Sequence, residues 1–237
     1  MHKNQYDQPI GEPIPNWSER DRPQKKILDG KYCTLVPYKV NLHAKDLYSA
    51  YSEALDDRDW TWLPIGPFKN FEEYLSCANQ FEISNDPIHY AVINKITQQA
   101  VGSIALMRID TANGVVEMGF VLYSPQLKKT RIATEAQYLL MQYIFDELKY
   151  RRYEWKCDFF NDPSKKAALR LGFTYEGTFR KLVVYKNRSR DTSWFSLIDS
   201  EWSLNKSVLQ SWLDPNNFDQ DGQQILSIQQ IRDQKKL

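Results

Sequence analysis

Four consecutive residues, Lys128-Lys129-Thr130-Arg131, stand where a strand-like run gives way to a strongly periodic helical run, in "SPQLKKTRIATEAQYLLMQYIF" (Ser124 to Phe145). A strand that feeds a helix directly brings unpaired backbone N–H groups and the positive end of the helix dipole to one point. Lys128, Lys129 and Arg131 add three cationic side chains there. The combination predicts a pocket for a phosphate-bearing cofactor or substrate. A basic turn is also a common solvated surface feature, so its surroundings decide its meaning. Metal chemistry has no comparable signal. His2, His43 and His89 are scattered, and Cys33, Cys77 and Cys157 are far apart, odd in number and in no metal-ligand spacing. A reduced, metal-free protein is expected.

The turn needs elements to hold it. The chain has 237 residues, 42% of them hydrophobic, which is enough for one substantial core with tails. With 31 basic and 30 acidic residues the net charge is +1, so no global field favours nucleic acid or an anionic membrane. Any basic site is local. The start of the chain is polar and Pro-rich, and no stretch is long and apolar enough to cross a bilayer, so a soluble cytoplasmic protein is expected.

Residues 1–28, with Pro9, Pro13, Pro15 and Pro23, read as an extended arm. "YCTLVPY" is the first strand. "NLHAKDLYSAYSEAL" places Leu42, Leu47, Tyr51 and Leu55 on one helical face, with Asn41 as N-cap. "NFEEYLSCANQFEI" is a second helix. "HYAVIN", "AVGSIALMRID" and "GVVEMGFVLY" form an antiparallel meander. The helix after the basic turn carries Ile132, Ala136, Leu139, Leu140, Tyr143, Ile144 and Leu148 as an apolar stripe and starts between Thr130 and Ala133. "YEWKCDFF" alternates as a half-buried strand, "PSKKAALRLGF" is a short helix ending at Gly172, and "FRKLVVYK" and "SWFSLID" complete the sheet. The expected fold is α+β, a mixed α/β sheet over residues 29–205. Residues 206–237, polar and Gln-rich, read as a mobile or loosely docked tail.

Two segments together carry a resemblance. "EMGFVLYSPQLKKTRIATEA" (117–136) is similar to the central segment of GNAT-superfamily N-acetyltransferases, and "NDPSKKAALRLGFTYEGTFRK" (161–181) to a companion segment of their ribosomal-protein alanine acetyltransferase (Rim) branch. The resemblance implies the GNAT fold, a central mostly antiparallel sheet flanked by helices. It also implies direct transfer of an acetyl group from acetyl-CoA to a primary amine, a protein N-terminus or a small molecule. By the same resemblance the pyrophosphate of acetyl-CoA lies at Lys128, Lys129, Thr130, Arg131, Ile132, Ala133 and Thr134. Its pantetheine arm lies along Phe120, Val121 and Leu122, and Asn161 orients groups near the thioester.

The chain departs from the family pattern twice. Arg131 stands at a loop glycine; either it points aside and still offers its amide, or its guanidinium pairs with phosphate. Ala168 stands where many members carry a tyrosine acid, so Ser164 becomes the candidate acid and Glu117 the candidate base, with Glu176 a weaker one. Trp60, Trp62 and Tyr90 are candidates for the acceptor side. Expected partners are acetyl-CoA and the amine, with no nucleic acid and no membrane, in a monomer or homodimer. A nucleic-acid role for "YKNRSRD" is disfavoured by the neutral net charge. The two departures also allow a catalytically silent GNAT fold serving as a binding module.

Overall fold

A computed structural model describes residues 2–235 of the chain. A small exposed hairpin, β1 (His2–Lys3) and β2 (Pro9–Ile10), precedes the main body. There follow β3 (Leu28–Asp29), β4 (Cys33–Pro37), α1 (Val40–Ser52), a 3-10 turn at Asp57–Trp60 and α2 (Phe71–Ile83). The meander is β5 (Ile88–Asn94), β6 (Ala100–Asp110) and β7 (Val115–Tyr123). Next come α3 (Arg131–Gln142), closed by a π turn at Tyr143–Glu147, β8 (Arg152–Asp158), α4 (Asp162–Leu171), β9 (Thr174–Tyr185) and β10 (Arg188–Ile198). The described chain finishes with α5 (Asp199–Leu213), a 3-10 turn at Pro215–Asn217 and α6 (Ile228–Lys235). None of these helices is long and apolar enough to cross a membrane.

Eight strands form one sheet in the order β3-β4-β5-β6-β7-β8-β10-β9, antiparallel throughout except for the parallel pair β7 and β8. Its two faces are covered separately. In β5, Tyr90 and Val92 join the cluster built on α3 and α5, whereas Ala91 joins the cluster of Leu47 and Tyr51 from α1 with Tyr74 and Phe81 from α2. The strand alternation thus feeds two cores from one sheet.

The sequence reading places α3 correctly, starting at Arg131 and burying Ala136, Leu139, Leu140, Tyr143 and Ile144. Beside that stripe Glu135 is also buried. Its carboxylate accepts the backbone N–H groups of Lys31, Tyr32 and Cys33 at 2.7, 2.6 and 2.7 Å, tying the β3–β4 turn to the first turns of α3. Gly30 makes room for it, since a Cβ there would come within 2.7 Å of the carboxyl group.

Three readings need correction. In α1 the N-cap is Lys39 rather than Asn41: Glu82 accepts the Val40 N–H and His43 Nδ1 the Lys39 N–H. Leu42 and Leu55 face solvent, and His43, Ala44 and Ala50 join Leu47 and Tyr51 inside. Strand β8 is not half-buried, because Glu154 and Asp158 are buried on one face as Tyr153, Trp155 and Cys157 are on the other, while Phe159 is exposed. Residues from 206 onward continue α5 and then form α6, with Trp212, Leu213, Ile228 and Ile231 in the main core. Sparse apolar anchors at helical spacing suffice to dock a Gln-rich segment.

The arm runs extended, as expected from its prolines. Trp17 Nε1 donates to Ala112 O (2.9 Å), and the hydroxyls of Tyr90, Tyr143 and Tyr150 bond the backbone at Gln24 O, Gln24 N and Asp21 O (3.0, 2.8 and 3.1 Å). Tyr90, expected near the acceptor, is therefore a core residue holding the arm.

Candidate functional site

The parallel ladder of β7 and β8 ends at Met118 opposite Trp155, although β7 continues to Tyr123 and β8 to Asp158. The cause lies on the other side of β7. Phe120 and Val121 together face the single residue Ile104, between the pairs Ala105–Gly119 and Ser103–Leu122. Phe120 adopts a left-handed backbone (φ 47°) in this bulge and packs its ring on His89 (5.2 Å) and Phe81 (6.0 Å). A bulge bends and over-twists its strand. Residues Phe120, Val121 and Leu122 consequently line a cleft of about 1880 Å³ with backbone groups that have no ladder partner on β8.

One end of the cleft is the start of α3. Thr130 is its N-cap, with Oγ1 accepting the Ala133 N–H (3.2 Å) and donating to Leu127 O (2.7 Å). The amides of Arg131 and Ile132 belong to the first turn and have no intrahelical acceptor. Lys129 takes a left-handed backbone (φ 61°) that lets the chain turn in front of them. Of the expected site residues here, Ile132 packs on the core and does not line the cleft; Lys128, Lys129, Thr130, Arg131, Ala133 and Thr134 line it.

The three cations behave differently. Lys128 forms an ion pair with Asp59. Arg131 lies between the rings of Tyr32 (5.0 Å) and Phe218 (4.4 Å), so its guanidinium stacks aside while its amide stays in the turn. Lys129 has no carboxylate partner among the described residues. A further cation escaped the sequence reading. Arg170 of α4 donates to Thr134 Oγ1 (3.2 Å), stacks on Trp212 (4.9 Å) and has no carboxylate partner among the described residues. Burial lowers its pKa below the usual arginine value. The signal was present as the cation before Leu-Gly-Phe in "ALRLGF". Free amides and cations lacking counterions fit a diphosphate.

The other end of the cleft is polar and aromatic. Glu117 is buried, and its Oε2 receives Arg108 (2.5 Å) and Lys156 (2.9 Å). Lys156 also pairs with Glu154 (2.7 Å) and lies over the Trp194 ring (3.8 Å). Arg152 continues the ladder to Glu154 and Glu176. The Arg152 hydrogen bond draws the Glu176 carboxyl down to about 2, and Glu176 lies off the cleft, so its weaker candidacy as a base lapses. Trp60 and Trp62 line the cleft. Lys186 donates to Trp60 O (2.8 Å) and Arg188 to Thr61 O (2.5 Å), which ties the β9–β10 hairpin across to this loop.

Between the two ends lies the β8–α4 turn. Asn161 caps α4 by accepting the Ser164 N–H (3.1 Å), and its Nδ2 has no partner among the described residues. Ser164 Oγ accepts the Trp155 indole N–H (2.9 Å). That bond occupies a lone pair and leaves the hydroxyl proton to donate elsewhere, with the Cys157 thiol within hydrogen-bond reach. Asp158, which the sequence reading passed over, accepts the Tyr185 hydroxyl (2.7 Å) and the Phe160 N–H (2.8 Å). Burial pushes the Tyr185 phenol up to about 12.

Known proteins share this fold. The acetyltransferase (GNAT) domain model matches residues 34–174. A GCN5-related N-acetyltransferase from Brucella melitensis, known from its crystal structure, superposes with a TM-score of 0.91 at 44% identity, covering 93% of this chain and 100% of that one. The uncharacterized N-acetyltransferase p20 of Bacillus licheniformis is 28% identical over 168 residues, 70% of this chain and 93% of its own. Microcin C7 self immunity acetyltransferase MccE, solved in complex with acetyl-CoA and AMP, shares the fold at a TM-score of 0.60 and 23% identity, over 71% of this chain and 93% of its own. With a splayed β7–β8 pair leading to a helix start and the domain match spanning more than half of the sequence, the chain belongs to the GNAT acetyltransferase family and is an acetyl-CoA-dependent acetyltransferase.

Proposed function

We propose that the chain N-acetylates a primary amine, and that the amine enters between the Trp60–Trp62 loop and the β9–β10 hairpin. One observation carries the reading: a single cleft joins a helix start with free amides and cations to a mouth lined by aromatic rings and by Asp158, a buried carboxylate with no ion-pair partner among the described residues. Phosphate suits the first end, and a cationic amine suits the second. The test is thiol release from acetyl-CoA against a panel of peptides with free N-termini, polyamines, aminoglycosides and alkylamines. Acetylation of hydroxyl acceptors alone would overturn the amine assignment.

In this reading the first-turn amides of α3, with Lys129 and Arg170, hold the pyrophosphate, while Phe120, Val121 and Leu122 offer backbone groups to the pantetheine arm. Acetyl-CoA supplies a thioester whose carbonyl carbon is open to attack. Asn161 Nδ2 donates toward that region. Replacing Lys129 and Arg170 together by Ala is expected to weaken acetyl-CoA binding by roughly a hundredfold or more and to flatten its salt dependence, since charge-assisted contacts are each worth about 1.5–3 kcal/mol. Calorimetry at two ionic strengths measures both. Unchanged affinity in the double variant would move the phosphate site elsewhere.

Ser164 is the proton donor to the leaving sulfur in this scheme. Ser164→Ala is expected to lower turnover by about a hundredfold, the low end of general acid–base contributions, because water also reaches a thiolate of intrinsic pKa about 8.5. Acetyl-CoA affinity stays as in the parent. Single-turnover kinetics equal to the parent would remove Ser164 from the chemistry. For Glu117 the geometry favours another role than base. Protonating it forfeits two ion pairs, so we read it as the anchor of the charge ladder at the mouth.

A further inference from the structure

Four carboxylates line the cleft: Asp59, Glu117, Asp158 and Asp162. Lys128 neutralises Asp59, Arg108 and Lys156 neutralise Glu117, and Lys165 neutralises Asp162. Asp158 is different. It is only 6% exposed, yet no Lys, Arg or His nitrogen lies within ion-pair distance of it among the described residues. Neutral donors fix its position, Phe160 N–H on Oδ1 (2.8 Å) and the Tyr185 hydroxyl on Oδ2 (2.7 Å). Burying a carboxylate without a cation is costly, and a cation arriving from outside would offset that cost.

A second observation points to the same visitor. Thr192 of β10 stands directly opposite Asp158 in the ladder and lines the cleft. Its residue is 2% exposed, and Oγ1 is buried with no hydrogen-bond partner. An ammonium brings three N–H donors. One carboxylate and one unpartnered hydroxyl on adjacent strands can take two of them. The position also suits the chemistry, because Asn161 N donates to Asp158 O (2.9 Å) and Asn161 in turn caps Ser164. The seat is thus joined through one turn to the groups assigned to the thioester. The other charged or titratable groups around it are Tyr185 on β9, Arg188 and Arg190 near the Tyr185 ring (5.2 and 5.8 Å), and Cys157 and Lys156 on β8, the latter engaged by Glu117 and Glu154.

We propose that Asp158 seats the ammonium of the acceptor and takes its first proton, with Thr192 Oγ1 as the second acceptor. The proposal rests on reading the cleft as an amine N-acetyltransferase site. One proton passes from nitrogen to Asp158 and on to water. The freed nitrogen lone pair forms the N–C bond to the acetyl carbonyl carbon. As the C–S bond breaks, its electron pair goes to sulfur, which is protonated by Ser164. The second nitrogen proton replaces the one that Ser164 gave. The substrate class is a cationic primary amine, which must be deprotonated to react at neutral pH because its pKa is about 10.

The experiment uses n-propylammonium as a minimal ligand, with binding followed by saturation-transfer NMR and acetylation by thiol release. The parent protein is expected to bind it, and Asp158→Asn to weaken that binding roughly tenfold or more, the scale of one charge-assisted hydrogen bond. Acetyl-CoA affinity and melting temperature should match the parent. Equal propylammonium affinity in the variant overturns the proposal. If Asp158→Asn does not fold, Thr192→Val carries the test: a several-fold loss of affinity supports the seat, and an unchanged affinity overturns it. A parent that acetylates another amine of the panel but does not bind propylammonium also overturns the seat while leaving the N-acetyltransferase reading intact. A parent that binds propylammonium through Asp158 but acetylates no amine upholds the seat and overturns that reading.

Discussion

Glu135→Ala is expected to destabilise the fold by about 3–5 kcal/mol, because three backbone N–H groups lose a charged acceptor and each such bond contributes about 1.5–3 kcal/mol before partial rehydration. The Lys31 and Tyr32 amides lie where water can reach them, whereas the Cys33 amide is buried, which is why the full sum is not expected. For a chain of this size each kcal/mol moves the melting temperature by about 2–4 °C, so a fall of roughly 10 °C is expected. Glu135→Gln keeps an acceptor oxygen and should fall between. Gly30→Ala attacks the same contact from the other side, since its Cβ would meet the carboxyl group. Calorimetric melting of the three variants measures the series. A Glu135→Ala protein that melts with the parent would show that the tie between the β3–β4 turn and α3 contributes nothing.

The second large effect is expected from Lys156→Met. It removes the cation shared by two buried carboxylates, Glu117 and Glu154, and adds a thioether against Trp194. Breaking a buried pair by deleting one partner costs about 3–5 kcal/mol. Arg108 and Arg152 remain on the two carboxylates, so about 2–4 kcal/mol is the expected loss. Adding Glu117→Gln to Lys156→Met should recover part of it, because one of the stranded charges disappears with the second change. Coupling of about 1–2 kcal/mol is the scale for residues in one network. Denaturant titration of the parent, both single variants and the double variant closes the cycle. Strict additivity would mean that the ladder is a geometric coincidence without energetic content.

What could be read from the sequence was local. The start of α3, the order of the strands and the glycine at the end of α4 are written in neighbouring residues. So was the likeness of 117–136 and 161–181 to one family. The unread parts depend on what covers a face. In β8 the alternation of Glu154, Lys156 and Asp158 with Tyr153, Trp155 and Cys157 gives two faces, but period two does not say that the polar side chains pair with Arg152, Glu117 and Tyr185 rather than with water. Asp158 was therefore invisible as a site residue. Arg131 shows the same limit. Its position at a glycine site was legible, yet the rings that hold it aside come from Tyr32 and from Phe218 at opposite ends of the chain. In the C-terminal segment the polar average hid a few large anchors, and one of them, Trp212, lines the cleft beside Arg170.

The arm that hangs from Tyr90, Tyr143 and Tyr150 also constrains how the protein comes into being. Its residues Asp21 and Gln24 are made before the hydroxyls that hold them, which belong to β5, the π turn after α3 and the approach to β8. Trp17 likewise waits for the β6–β7 turn at Ala112. Contacts between segments so distant in sequence require a large loop to close before any of them stabilises the structure, and they form late for that reason. The arm is thus made before the sheet and helix that hold it, and its docking contacts need those elements already in place.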